Sequence, residues 1–491
     1  MKTIKTLSFI LGISLFFGCF SPLTNDNTFI SISIGNGSSG AIASAWPPTN
    51  HDFVFNSIRH EISITGPGKP ASATLRGGEG TLDIPVDRPG TWNVNIKAYL
   101  EDLLYAEGNK SVLVRSGMDN QADVYMDPSD IIFFIVRDAG DWNAARNGVY
   151  YLNFDGYTKF AIIVAQSFPL AGLLSPVSGT NNTFHDTDII EVHIRGNHTI
   201  TLDDNPINGS LGSLLRVGEN QTVIVRDTKF NGNDVENNTT LIQVAGTNSH
   251  LIFRGSASIH SNKSPPGNNG GGGINVDSAG TFIMQENSSV HSNLINGNGG
   301  GVNVTNNGTF IMHNGRIYDN EAVQLILGNG GNGGGVSIRL GGFEMTGGSI
   351  YENTAAVNGG GVSLDSPATS ITFTLHNGRI YGNEAIQGHG GGVYVGIGAF
   401  QITGGIVYGN DAQPPDLANN VDPMYTGASL HVTDMNPNNS AQYGSMVNGE
   451  FAQAVDGNNG DILPWPRDAL SPTNYTNDTF RVVNGELLPL Q

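Results

Sequence analysis

Tyrosine recurs at one place in the repeated part of the sequence, and its side chain could bind a ligand there. The residues concerned are Tyr318, Tyr351, Tyr381 and Tyr408. Each follows an aliphatic residue that the pattern predicts to be buried, so strand alternation turns the ring outward. His260 and His291 occupy the equivalent places upstream. A flat aromatic strip could stack on sugar rings or anchor a protein partner, or the rings could only shield turns and stack on each other.

A histidine and a pair of aspartates look like parts of a hydrolytic site. Gly388, His389 and Gly390 resemble the histidine motif of polygalacturonases, and Asp203 and Asp204 resemble their paired carboxylates. Glycosidase carboxyl groups must lie roughly 5 to 9.5 Å apart. Asp203 and His389 belong to repeats several steps apart, and other repeats place Gly or Asn where His389 stands. The sequence therefore predicts a structural role for His389 and no shared site.

A polysaccharide lyase would need acidic calcium ligands and a basic residue on one strand face. Alternation predicts that one set of polar residues points outward: Asn275, Asp277, Asn303, Thr305, Ser337, Arg339, Ser363, Asp365 and Tyr394. Asp277 and Asp365 would lie about 14 Å apart by the spacing of strands, too far to share a metal ion. Arg339 and Asp365 are explained by a surface ion pair worth at most about 1 kcal/mol. We expect no metal, no cofactor and no catalytic residue, and keep a carbohydrate-active enzyme (a polysaccharide lyase or glycoside hydrolase) as an alternative.

The single cysteine of the chain, Cys19, follows a segment with the pattern of an export signal. After a basic start, the residues from Leu7 to Phe17 are apolar, too few for a bilayer span of about 20 residues. The cysteine directly after a small residue resembles the bacterial lipobox, which implies a lipid-carrying cysteine; the alternative is an incidental cysteine in an ordinary signal peptide. We predict a lipoprotein signal peptide over residues 1–19, a tether over 20–28, and an exported protein anchored in the outer membrane or at the cell surface.

The amino-acid composition of the chain limits the kinds of molecule that it is expected to bind. Charged residues are 13% of the 491 residues, against a usual share of about 25%, while glycine reaches 67. The formal net charge of -20 repels phosphate backbones, so we do not expect nucleic acid as a partner. With one cysteine, no intramolecular disulfide can form, and stability must come from packing.

Two segments precede the repeats. Residues 29–128 contain short alternating runs, such as Phe29 to Ile34, that are typical of half-buried antiparallel strands. We interpret them as a β-sandwich that resembles bacterial immunoglobulin-like modules. Residues 129–189 are predicted to be an N-terminal cap, with a short helix that Asp141 begins and Gly148 ends.

The tyrosines belong to a series of sequence repeats that spans residues 190–412. Five blocks carry an aromatic residue two places before an aliphatic or methionine: Phe282, Phe310, Phe343, Phe373 and Phe400. Each block later carries an asparagine at a constant place: Asn293, Asn320, Asn353, Asn383 and Asn410. Three short period-2 strands per block predict a three-sided coil with an internal phenylalanine ladder and an asparagine ladder. Residues 413–491 are predicted to be C-terminal coils and a cap.

These blocks resemble the right-handed parallel β-helix repeats of pectin-lyase-like proteins. They are most similar to the repeat arrays of polymorphic outer-membrane proteins and bacterial surface adhesins. The resemblance implies an all-β fold and a non-enzymatic surface lipoprotein that displays a rigid rod, with adhesin-like binding of a glycan or of a host or envelope protein. A purely structural envelope protein remains a further alternative.

Overall fold

The computed structural model shows two compact units, Met1–Ser129 and Asp130–Gln491. It describes residues 28–34, 52–77, 80–173, 182–184, 189–204, 212–237, 239–263, 272–323, 330–365, 371–403, 405–408 and 410–412, and beyond them only short strands. The fold is all-β, with 6% helix and a parallel β-solenoid of about 8 turns. The predicted parallel β-helix is therefore confirmed.

The described residues of the first unit form two small sheets and one short helix, Asp52–Ser57. The smaller sheet joins Phe29–Ile34 to Gly80–Pro85 and to Asn120–Asp123. The larger sheet is antiparallel and consists of Arg59–Thr65, Ala71–Arg76, Gly90–Leu100, Leu103–Val114 and Asp127–Pro128. Alternate residues of these strands, including Ile32 and Trp92, form one hydrophobic core. An immunoglobulin-like topology stays a prediction.

The second unit begins with a strand and a helix that belong to the predicted cap. The helix is Ala139–Phe154, longer than expected, with Asp138 rather than Asp141 as its N-cap. Gly148 does not end it but lies within it, where a Cβ would come 2.6 Å from the Phe134 ring. Because Gly148 has no side chain, the helix and the strand can pack closely. In the sequence alone, a glycine needed for such a contact cannot be told from a glycine that ends a helix.

The solenoid has three long sheets of parallel, in-register strands and a fourth, short one. Sheet A follows the glycine runs and comprises Leu215–Val217, Ile242–Ala245, Ile274–Asp277, Val302–Val304, Val336–Ile338, Val362–Asp365, the start of Val393–Ile402, and Val421–Pro423. Sheet B contains the phenylalanines and comprises Ile132–Val136, Lys159–Val164, Ile190–Arg195, Gln221–Arg226, His250–Arg254, Thr281–Met284, Gly308–Met312, Gly341–Met345, Thr372–Leu375, the end of Val393–Ile402, and Ala428–Val432.

Sheet C contains the tyrosines and comprises Phe168–Leu170, Thr199–Leu202, Lys229–Asn231, Ser258–His260, Ser289–His291, Arg316–Tyr318, Ser349–Tyr351, Arg379–Tyr381, Ile406–Tyr408 and Tyr443–Gly444, followed by antiparallel Glu486–Pro489, Phe480–Val483 and Asn474–Thr476. Sheet D comprises Leu294–Asn296, Glu321–Val323, Thr354–Ala355, Glu384–Ala385 and Asp411–Ala412. Ala454–Val455 and Ile462–Leu463 pair separately. Sheet D was not predicted, because two or three residues are too few to show a period.

Phenylalanine rings fill the interior behind sheet B. From Phe282 to Phe400 consecutive rings stack at 4.4 to 5.1 Å, with interplanar angles of 6° to 14°. Phe343 is 2% exposed, and the other four rings of this series are fully buried. In the preceding turn the in-register series ends: Leu251 takes the place of Phe282, and Phe253, which aligns with Met284, meets the Phe282 ring edge on at 5.4 Å. Register and interior packing thus support each other along the rod.

Asparagines form a second ladder at the corner between sheets C and D. From Asn293 to Asn383, each Nδ2 donates to the Oδ1 of the asparagine in the next turn at 2.8 to 2.9 Å. The same side chains also satisfy backbone groups: Asn353 Nδ2 donates to the Ile317 and Tyr351 carbonyls, and its Oδ1 accepts from the Asn320 amide. Because the asparagines are buried, each satisfied amide removes a desolvation cost.

Glycine runs cover the outer side of sheet A. A Cβ at Gly299 would lie 2.8 Å from the Asn303 Cβ, and Gly299 adopts a φ of +73°. Consequently Asn303, Ser337, Ser363 and Tyr394 are at most 4% exposed. We predicted only that these side chains turn outward, and their burial was not predicted, since alternation defines the side of a sheet but not what lies against it.

Candidate aromatic binding column

The tyrosine positions of sheet C form a continuous stack of rings, which we call the aromatic column. His260 and His291 are 5.0 Å apart between ring centroids, and His291 and Tyr318 are 4.7 Å apart. Tyr318, Tyr351 and Tyr381 follow at 5.1 Å per step, with interplanar angles of 5° and 4°. Both faces of the His291, Tyr318 and Tyr351 rings are therefore covered by neighbouring rings, which leaves their edges for solvent.

This orientation changes the chemistry available to a ligand. A sugar ring cannot lie flat on a face that a neighbouring ring already covers. What repeats along the rod is instead the edge of each ring and its hydroxyl group. Neither the Tyr318 nor the Tyr351 hydroxyl forms a hydrogen bond with any residue in the described part of the chain. Both hydroxyls can therefore donate to or accept from a ligand.

Tyr408 would be the next member. Its strand pairs in register with that of Tyr381, so the backbone continues the column. The Tyr408 side chain lies outside the described residues.

Charged groups flank the column on both sides. Arg316 is exposed, and its Cζ lies 6.0 Å from the Tyr318 ring centroid. Burial raises the pKa of Tyr318 and of Tyr351; Arg316 opposes the rise at both residues, more strongly than Asp319 or Glu352 adds to it. The strongest charge acting on these two hydroxyls is therefore positive, in a chain whose net charge is -20.

The histidines below the tyrosines are held uncharged. Burial lowers the pKa of His291 to about 4, and the neighbouring His260 and Arg316 lower it further. Burial also lowers the pKa of His260. Two stacked neutral imidazoles thus extend the column without adding charge near neutral pH.

Sequence reasoning missed the basic residues beside the column. Arg316, Ser349 and Arg379 occupy one position in three consecutive turns, two residues before each tyrosine. Both arginines are exposed, and neither forms an ion pair with another described residue. The repeated Arg-Ile-Tyr triplet in two blocks was the available signal.

The other sequence candidates are dispersed. His389 belongs to a second asparagine series, and its backbone N–H donates to Asn358 Oδ1 at 2.9 Å, as Asn358 donates to Asn332. The ion pairs among described residues include none between Arg339 and Asp365, so that predicted contact was wrong. In the described part, no group of three or more His, Cys, Asp or Glu side chains could hold a metal ion.

A shallow depression of about 320 Å³ opens between sheets A and B. Its lining includes Asn307, Thr309, Leu340, Gly342 and Thr372. None of the lining residues carries an acid or base with a pKa near neutrality, so the depression offers no group for proton transfer.

Cys19 lies outside the described residues, so lipidation stays a prediction. No helix in the described part is long and apolar enough to cross a membrane. Searches against protein-family models, curated proteins and solved structures find no match for this chain.

Proposed function

We propose that the protein is a non-enzymatic, exported lipoprotein that is anchored through Cys19 at the outer membrane or cell surface and binds an extended glycan or protein along its solenoid. In this proposal the first unit is an immunoglobulin-like β-sandwich between anchor and solenoid, and the β-helix is right-handed. The observation that carries the proposal is the aromatic column, in which the Tyr318 and Tyr351 hydroxyl groups have no hydrogen-bond partner among the described residues and the rings repeat once per turn.

Periodicity is what supports binding of an extended partner. A compact ligand would use one or two neighbouring groups, whereas the tyrosine rings of the column repeat at 5.1 Å per turn over three turns. A partner with its own repeat can form the same hydrogen bond in each turn. Each bond contributes about 0.5 to 1.5 kcal/mol net, so several in register give useful affinity from weak contacts.

A purely structural envelope role is the second candidate, and the ring stacking itself favours it. Aromatic pairs stabilise a fold by about 0.5 to 1.5 kcal/mol beyond their buried area. Stacking alone could therefore account for the repeated tyrosines. The two candidates differ in whether the hydroxyl groups matter.

Replacement of Tyr318 and Tyr351 together by Phe separates the two. The variant keeps every stacked ring and loses only hydroxyls, so we expect an unchanged urea midpoint and binding to the parent's best glycan-array or cell-surface ligand weakened at least about tenfold. Tyr125→Phe, at an exposed tyrosine of the first unit, is the matched control and should bind normally. Undiminished binding by the double variant would exclude the column as the binding surface. If the parent also binds no glycan and no cell surface, the structural role is correct.

The anchoring part of the proposal has a separate test. Cys19→Ser should leave the protein exported but release it from the membrane fraction, because the lipid-carrying thiol is gone. Recovery of this variant with membranes at the parental level would disprove lipidation at Cys19.

A further inference from the structure

The two unpaired arginines point to the charge of the ligand. Arg316 and Arg379 are exposed on sheet C, beside the aromatic column. The chain has 43 acidic and 23 basic residues, so an exposed arginine has many possible partners. Neither arginine has an ion-pair partner among the described residues. Their guanidinium groups can therefore pair with an external anion.

Their spacing specifies how often the ligand must carry a negative group. Arg316 pairs in register with Ser349, and Ser349 with Arg379, so the arginines lie two turns apart. At about 4.8 Å per turn the two guanidinium groups are roughly 10 Å apart along the rod. Tyr318, Tyr351 and Tyr381 meanwhile repeat in every turn. The surface thus presents a tyrosine ring in each turn, with the Tyr318 and Tyr351 hydroxyl groups available to a ligand, and a cation in every second turn.

Extended polysaccharides of equatorially linked six-membered rings have a matching pattern. Such a chain advances by nearly the rise of one solenoid turn per ring and alternates between two kinds of ring in many acidic polymers. Arginine binds carboxylate and sulfate groups through paired N–H donors. Building on the proposed function, we propose that the aromatic column and its two arginines bind an extended anionic polysaccharide that carries an acidic group on alternate sugar rings.

The remaining charges near the column favour an alternating polymer over a denser one. Asp319 and Glu352 follow Tyr318 and Tyr351 directly and are exposed, so they repel anions on that side of the column. A polymer with an acid on every ring would place half of its charges beside Ser349-type positions, without a cation. The net charge of -20 adds a general repulsion that grows with the charge density of the ligand. The acidic groups of the bound chain therefore lie on the arginine side.

The test compares three polymers on the full-length protein. We expect hyaluronan, with a uronate on alternate rings, to bind more tightly than β-1,4-linked polymannuronate, an equatorially linked chain with one on every ring, and than a neutral β-1,4-glucan. Arg316→Gln combined with Arg379→Gln should weaken hyaluronan binding at least about tenfold and reduce its salt dependence. Arg339→Gln, an exposed arginine outside sheet C, is the control and should bind as the parent does.

A gain-of-function variant checks the spacing itself. Ser349→Arg places a cation in the intervening turn, so polymannuronate binding should improve relative to hyaluronan by about tenfold. The inference would be overturned if the neutral glucan bound as tightly as hyaluronan and the arginine substitutions did not change its binding. The column would then remain a glycan site. Tighter binding to poly-glutamate than to hyaluronan would identify a protein partner instead. A last outcome would also overturn the inference but retain the proposed function. In that outcome the parent binds none of these probes yet binds the cell surface, and the tyrosine-to-phenylalanine variant does not bind the cell surface.

Discussion

Phe343→Ala tests whether the phenylalanine ladder holds the solenoid together. The Phe343 ring is 2% exposed and lies between Phe310 at 4.5 Å and Phe373 at 4.4 Å, nearly parallel to both. Truncation removes the ring and two stacked pairs at once. Buried Phe→Ala changes cost about 3 to 5 kcal/mol. We expect the upper part of that range, because neighbouring rings held by strand pairing cannot move together to close the cavity.

The measurement should resolve individual turns as well as the whole chain. A solenoid can lose local structure without global two-state unfolding, so a urea midpoint alone could understate the damage. We expect a lowered midpoint together with faster amide exchange in the strands that contain Phe310, Phe343 and Phe373. Exchange in the first unit should be unchanged.

Tyr351→Ala is the matched control, since it removes an aromatic ring from the same turn. Tyr351 is half-buried, and its replacement by Ala removes the stacking with Tyr318 and Tyr381. The free energy of unfolding should therefore fall by at most about half as much as in Phe343→Ala. Equal midpoints for the parent and Phe343→Ala would refute the reasoning that the ladder carries stability. A larger cost at Tyr351 than at Phe343 would show that the aromatic column is the main brace.

Two further perturbations test the glycine runs and the neutral histidine. Gly334→Ala should lower the unfolding midpoint, since its Cβ would lie 2.4 Å from the Thr354 carbonyl oxygen, whereas Gly342→Ala should be neutral because nothing lies within 4 Å; equal midpoints would contradict the close packing. His291→Phe keeps a stackable ring and removes a group whose pKa is 6.5 unfolded and about 4 folded. As the pH falls from 6.5 towards 4, the unfolded state of the parent binds that proton first, so the parent should lose more stability than the variant between urea melts at pH 7 and pH 4.5; parallel losses would refute this.

The local pattern of the sequence was sufficient for the repeat architecture. Phe310 and Met312 alternate with residues on the other side of their strand, and Asn320 follows the next strand at a constant distance, so each block specifies its own strands and corners. Copies of one block can bury their apolar sides only by stacking in register, which brings Phe310 onto Phe343 and Asn320 onto Asn353. The helix in the cap could not be bounded in this way, because Gly148 is required by its contact with Phe134 and not by the helix itself.

Tertiary structure alone decided what each surface of the rod can do. Alternation indicated that Tyr351 and Ser363 both lie on the outer side of their sheets, yet Tyr351 reaches solvent and Ser363 is buried under a glycine run. The tyrosine ring plane, which turns faces towards neighbours and edges towards a ligand, depends on rings about thirty residues away in the chain. Whether Arg316 forms an ion pair also depends on the tertiary structure, because no carboxylate of the described residues lies close enough to pair with it. A sequence period specifies which residues repeat, whereas exposure, ring orientation and charge pairing arise only between turns.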